Sequence, residues 1–111
     1  MEHFQVDDLD LQRRASEEPW LEFQRSASMS TGLYVLGVGE PDEQVPHLED
    51  EIYVVVSGEA RFVTPGRSVR VEPGDVLFVP AHEEHRFVDV TEELRLVVVF
   101  APPETPPDDA D

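Results

Sequence analysis

The chain has 111 residues, 25 acids against eight bases, and a formal net charge of −17; it contains no cysteine, and all eight bases are arginine. Disulfides and thiolate metal sites are therefore excluded, and a surface of this charge repels nucleic acid and anionic lipid. No apolar run approaches the roughly 20 residues of a membrane span, and the start lacks the basic-then-apolar pattern of a secretion signal, so the cytoplasm is the expected location.

One domain is expected from the length. Near the N-terminus, Phe4 and Val6 suit a short strand, and DDLDLQRRA suits one or two helical turns with Asp7 or Asp8 as cap. Pro19 ends that segment. Trp20 to Phe23 follows as a short strand, and Leu33 to Val38 as a strand apolar on both faces. Residues 40–46, EPDEQVP, read as a loop. Glu51 to Val56 is again apolar on both faces, and Ser57-Gly58 reads as the turn that closes it. Alternation at residues 60–64 and 69–71, a buried run at 76–79 ended by Pro80, a strand through His85 and Phe87, and a last strand from Leu94 to Phe100 complete the pattern. About eight short strands with Gly/Pro turns predict an all-β sandwich or barrel. No helix is long enough for a parallel crossover. Residues 102–111 hold four prolines without apolar periodicity and predict a disordered tail. The expected organisation is an arm at 1–25, a barrel at 26–101 and the tail at 102–111.

Two blocks carry the chemistry. In the first, Gly39 is followed after five residues by Val45-Pro46-His47, then after three more by Glu51, then after six more by Gly58. In the second, Gly74 is followed after five residues by Pro80-Ala81-His82, then by His85 after two, and by Asp89 after three more. A carboxylate buried at the head of an apolar strand is costly unless it is paired or bound to a cation. Glu51 stands at such a place, and His47 shares its parity in an extended chain.

These two blocks resemble the paired motifs of the cupins, and the strand pattern extends the resemblance over nearly all the rest. The resemblance implies a cupin-type jelly-roll β-barrel and metal ligation by His47, Glu51 and His85. It departs at three positions. Val45 stands where the first motif has a histidine, His82 where the second has a turn glycine, and Asp89 where it has an asparagine. Glu49 has the parity to replace the ligand missing at position 45; a solvated acidic turn at 49–51 is the alternative. His82 reads as a residue of the mouth or surface.

Two imidazoles and a carboxylate suit non-heme Fe(II) with oxygen or catalytic Zn; Fe, Zn, Mn and Ni all remain open. Inward aromatic residues among Tyr34, Tyr53, Phe62, Phe78, Phe87 and Phe100 would give an apolar pocket for a small organic ligand. The function expected is that of a metal-binding small cupin, as a dioxygenase or an isomerase-like enzyme. The alternative is a non-catalytic module that binds a small molecule with weak metal binding or none. The strands with two apolar faces need a cover, and similar cupins pair through an outer sheet and an N-terminal strand, which implies a homodimer using part of residues 1–25.

Overall fold

The computed structural model describes residues 1–105; the part of the expected tail at 106–111 lies outside the described residues. One helix, α1 (Val6–Ser16), precedes six strands: β1 (Trp20–Arg25), β2 (Ser30–Leu36), β3 (Asp50–Thr64), β4 (Arg67–Val71), β5 (Val76–Val79) and β6 (Arg86–Ala101). All pairings are antiparallel, in the order β1-β2-β6-β3-β4, with β5 on β3. The all-β architecture expected from the alternation is present.

The strand count differs from the expected eight because two pairs of strands run together. Ser57-Gly58 does not turn the chain. It lies inside β3, where the pairing with β6 slips between Val55 and Ser57, again to Glu59, and again to Arg61. These slips bend both long strands, as bulges do. Gly58 has φ +95, and a Cβ there would lie 2.2 Å from the Glu93 carbonyl oxygen, so only glycine lets the strands touch at the bend.

The N-terminal segment also differs. Val6 opens α1 rather than a strand, and the cap is Gln5, with no side-chain cap bond. Asp7 and Asp8 instead occupy the first turn, where acids complement the helix dipole. Leu9 packs with Leu33 and Val35, so α1 covers β1 and β2 of its own chain. The buried Asp10 takes Arg13 and Arg14 at 2.9 and 3.0 Å, and Arg95 reaches Asp7 at 3.0 Å, pinning the helix to β6. On the outer face of β3 and β5, Phe78 pairs in register with Ile52 and is 63% exposed.

Inside the curved sheet the main core gathers Tyr53, Phe62, Phe87, Leu94, Leu96 and Phe100 with smaller aliphatics. Alternate residues of β3 face it, so Glu51, Tyr53 and Val55 are buried while Ile52 points outward. That parity places a carboxylate at the edge of an apolar interior.

Candidate metal centre

Glu51 opens the inner face of β3, His85 ends the loop before β6, and His47 lies in the loop before β3. Two backbone-directed bonds tie the loops together: His82 N–H donates to the His47 carbonyl at 2.8 Å, and Ala81 N–H to Asp50 Oδ1 at 2.9 Å. His82 has φ +71, the left-handed conformation that favours glycine. Its side chain is exposed. The result brings ligand atoms of His47, Glu51 and His85 within 4.8 Å of one another.

The arrangement is rich in acceptors and poor in protons. Glu51 is 1% exposed, and neither of its oxygens receives a hydrogen bond. His85 Nε2 approaches Oε1 at 3.0 Å but is misaligned for donation. The other ring nitrogen, Nδ1, lies 2.8 Å from the Glu83 carbonyl, which can only accept. In the neutral ring the proton therefore sits on Nδ1, and the Nε2 lone pair faces Glu51. His47 Nε2 lies 4.0 Å from Glu51 Oε2, and its Nδ1 faces the Glu104 carboxyl at 3.6 Å. Burial lowers the His47 pKa, against the pull of Glu51, and so favours the neutral ring that ligates metal. Burial also opposes charge on His85, but the Glu51 carboxylate 3.0 Å away and the Glu83 carbonyl outweigh it and raise that pKa. A cluster of inward lone pairs around an unsatisfied buried carboxylate is what a cation requires. By these criteria the residues fit a divalent ion.

Glu49 does not share this space. Leu48 and Glu49 form a bend before β3 begins at Asp50, which breaks the extended parity. The buried Glu49 carboxylate turns instead to Thr105, whose N–H and Oγ1–H donate to it at 3.2 and 2.9 Å. Val45 points outward, 70% exposed.

Gln44 and Asp42 were not singled out from sequence, and Tyr53 was named only as a possible apolar wall of the pocket. Gln44 places Oε1 2.8 Å from Tyr53 Oη and 3.3 Å from His47 Nε2. Tyr53 Oη in turn lies 3.0 Å from His85 Nε2. Burial first, then the Glu51 charge, raise the Tyr53 pKa and keep its proton on the oxygen. Asp42, buried in the loop expected from composition, accepts from Tyr34 Oη at 2.7 Å, Gln44 Nε2 at 2.8 Å and Phe87 N–H at 2.8 Å. Tyr53 had a signal, its parity with Glu51. Asp42 and Gln44 lie in irregular chain and had none.

A cavity of about 150 Å³ adjoins the cluster, walled by Trp20, Tyr34, Val98 and Phe100, with Glu104 at its edge. The Pro-rich composition predicts a loose end here. Residues 104 and 105 are instead held, since Arg25 Nη2 donates to the Glu104 carbonyl and Glu104 N–H donates to Ser30 Oγ at 2.9 Å. Burial first, then repulsion from Glu49 and Glu51, push the Glu104 carboxyl up from 4.5 to about 7. A pKa raised on folding gives stability that is present in acid and lost as pH rises through the folded value. The metal-free protein is therefore expected to lose melting temperature between about pH 5 and pH 8, and Glu104→Gln to flatten that slope. An unchanged slope in Glu104→Gln would show that this carboxyl does not titrate in the pocket.

Comparison with known proteins agrees with this fold. The sequence model of the family described as "Cupin domain" matches residues 32–100. An uncharacterized protein of Streptomyces coelicolor is 43% identical over 105 residues, which is 95% of this chain and 100% of that one. L-ectoine synthase of Desulfatibacillum aliphaticivorans is 38% identical over 65 residues, or 59% of this chain and 49% of the enzyme, so the match spans about half the enzyme's length. The crystal structure of TT1209 from Thermus thermophilus superposes with a TM-score of 0.73 at 27% identity, over 93% of this chain and 99% of that chain.

Proposed function

This chain belongs to the cupin family, and from that premise we propose that it binds one divalent ion through His47, Glu51 and His85 and acts at that ion on a small organic molecule. The observation that carries this is Glu51, whose two buried oxygens have no hydrogen-bond donor while two imidazoles face them. A buried carboxylate left so costs several kcal/mol in principle, and a bound cation removes that cost.

When bound, the ion would supply a Lewis acid for an oxygen of the ligand. The protein's own side chains support proton-moving, isomerase-like chemistry. Trp20, Tyr34 and Phe100 give the cavity an apolar wall. Tyr53 holds a proton at Oη between Gln44 Oε1 and His85 Nε2. The Glu104 carboxyl sits at the cavity edge, its proton affinity raised in the metal-free protein. Two proton-bearing groups on one small cavity suit transfer to and from a bound molecule. The partial match to an ectoine synthase supports an enzymatic use of this architecture, and its substrate is not carried over.

The test is elemental analysis of the protein purified without added metal. About one equivalent of a divalent transition metal is expected, in keeping with one ligand cluster. Protein that is metal-poor and also takes up no Mn²⁺, Fe²⁺, Ni²⁺ or Zn²⁺ after stripping would overturn the proposal.

A further inference from the structure

We propose that the side-chain oxygen of Gln44 completes the ligand set, taking the place of the histidine that position 45 lacks; this rests on the metal-binding reading above. Four observations converge. Val45 cannot serve, being apolar and turned to solvent. Gln44, one residue earlier, turns inward and puts Oε1 3.3 Å from His47 Nε2. Continuing around the cluster, Gln44 Oε1 to Tyr53 Oη is 2.8 Å, Tyr53 Oη to His85 Nε2 is 3.0 Å, and His85 Nε2 to Glu51 Oε1 is 3.0 Å. Donor atoms that share one ion at about 2.1 Å, in neighbouring directions at right angles, lie about 3 Å apart. The amide oxygen of Gln44 thus stands at ligand spacing in a ring that already contains the imidazoles and the carboxylate.

The orientation of the amide is also fixed. Its NH₂ end donates to Asp42 Oδ2 at 2.8 Å. Turning the amide over would set its oxygen against that carboxyl oxygen and remove the acceptor that faces Tyr53. Asp42 is itself immobilised by Tyr34 and by the Phe87 backbone. The oxygen is therefore presented to the cluster by a buried support, which is how metal ligands are normally held in place.

An amide oxygen is a harder donor than an imidazole nitrogen. A set with Gln44 therefore favours Mn²⁺ and Fe²⁺ over Zn²⁺ more than a three-histidine set would. Neither the spacing of the motif nor residue 45 carries this preference. It comes from a loop residue placed by Asp42.

The test is calorimetric titration of the metal-stripped full chain with Mn²⁺ and, separately, Zn²⁺. Gln44→Ala is expected to weaken Mn²⁺ binding at least about tenfold, the loss that even outer-shell partners produce, whereas Gln44→Glu retains it. Gln44→His is expected to shift the ratio of the two affinities toward Zn²⁺, a change that a merely structural residue would not produce. Val45→His is expected to leave both affinities unchanged. Unaltered Mn²⁺ binding in Gln44→Ala, equal weakening of both ions in Gln44→His, or tighter binding in Val45→His would each overturn the assignment. His85→Ala separates the two proposals: if it binds as well as the parent, the metal centre itself is wrong; if it alone loses binding, only the role of Gln44 is.

Discussion

Glu51→Gln is expected to make the metal-free protein more stable and at the same time to weaken divalent-ion binding by about 100-fold or more. The two effects have one origin. The carboxylate of Glu51 is fully buried and receives no hydrogen bond. The neighbouring His85 ring directs its Nδ1 proton to the Glu83 carbonyl, so in the neutral ring Nε2 offers a lone pair toward Glu51. Two acceptors then face one another at 3.0 Å. A glutamine has the same shape, no charge to desolvate, and an NH₂ group that can donate to that lone pair. Removing an unpaired buried charge and gaining one bond should raise stability by about 1–3 kcal/mol. The measurement is urea denaturation of stripped protein at about pH 8.5, two units above the ordinary histidine value, so that protonated His85 contributes least. A variant that is less stable there, and that binds metal like the parent, would make Glu51 an ordinary ion-pair partner of His85.

This trade of stability for binding explains which parts of the site could be read from the chain. His47, Glu51 and His85 stood out by the spacing of the two motifs, which is local; the parity of His47 with Glu51 does not hold, because His47 lies in the loop before β3. Glu49 failed on a local point, since the parity argument assumes extended backbone and the chain bends at Leu48-Glu49. Ser57-Gly58 is a common turn pair, yet here long-range pairing with β6 keeps the strand running and turns the pair into a bulge. Residues 104 and 105 are similar. The composition there predicts looseness, but the seat of Glu104 and Thr105 is built by Arg25, Ser30 and Glu49, 56 to 79 residues away. Asp42 and Gln44 belong to the same class. Both lie in a loop without periodicity, and their value arises only when β2, β3 and the His85 loop converge on them.

Asp42→Ala is accordingly expected to cost about 3 kcal/mol or more of unfolding free energy. The carboxyl group of Asp42 accepts the Tyr34 hydroxyl, the Gln44 side-chain amide, the Gln44 backbone N–H and the Phe87 N–H. Alanine leaves the Phe87 N–H buried without its acceptor and strands the half-buried Tyr34 hydroxyl beside it. Each such orphan costs about 1–3 kcal/mol. Asp42→Asn tests the same point with little change of volume, because its NH₂ must meet a donor on at least one side. It should fall between the parent and Asp42→Ala in denaturation midpoint. The loop also loses the group that orients Gln44, so both variants should bind Mn²⁺ more weakly than the parent while keeping the β-sheet circular dichroism signal. If Asp42→Ala unfolds at the parent's denaturant midpoint, the 37–49 loop is not anchored by this carboxyl. If the midpoint falls but Mn²⁺ affinity does not, the anchor is real and has no part in presenting Gln44.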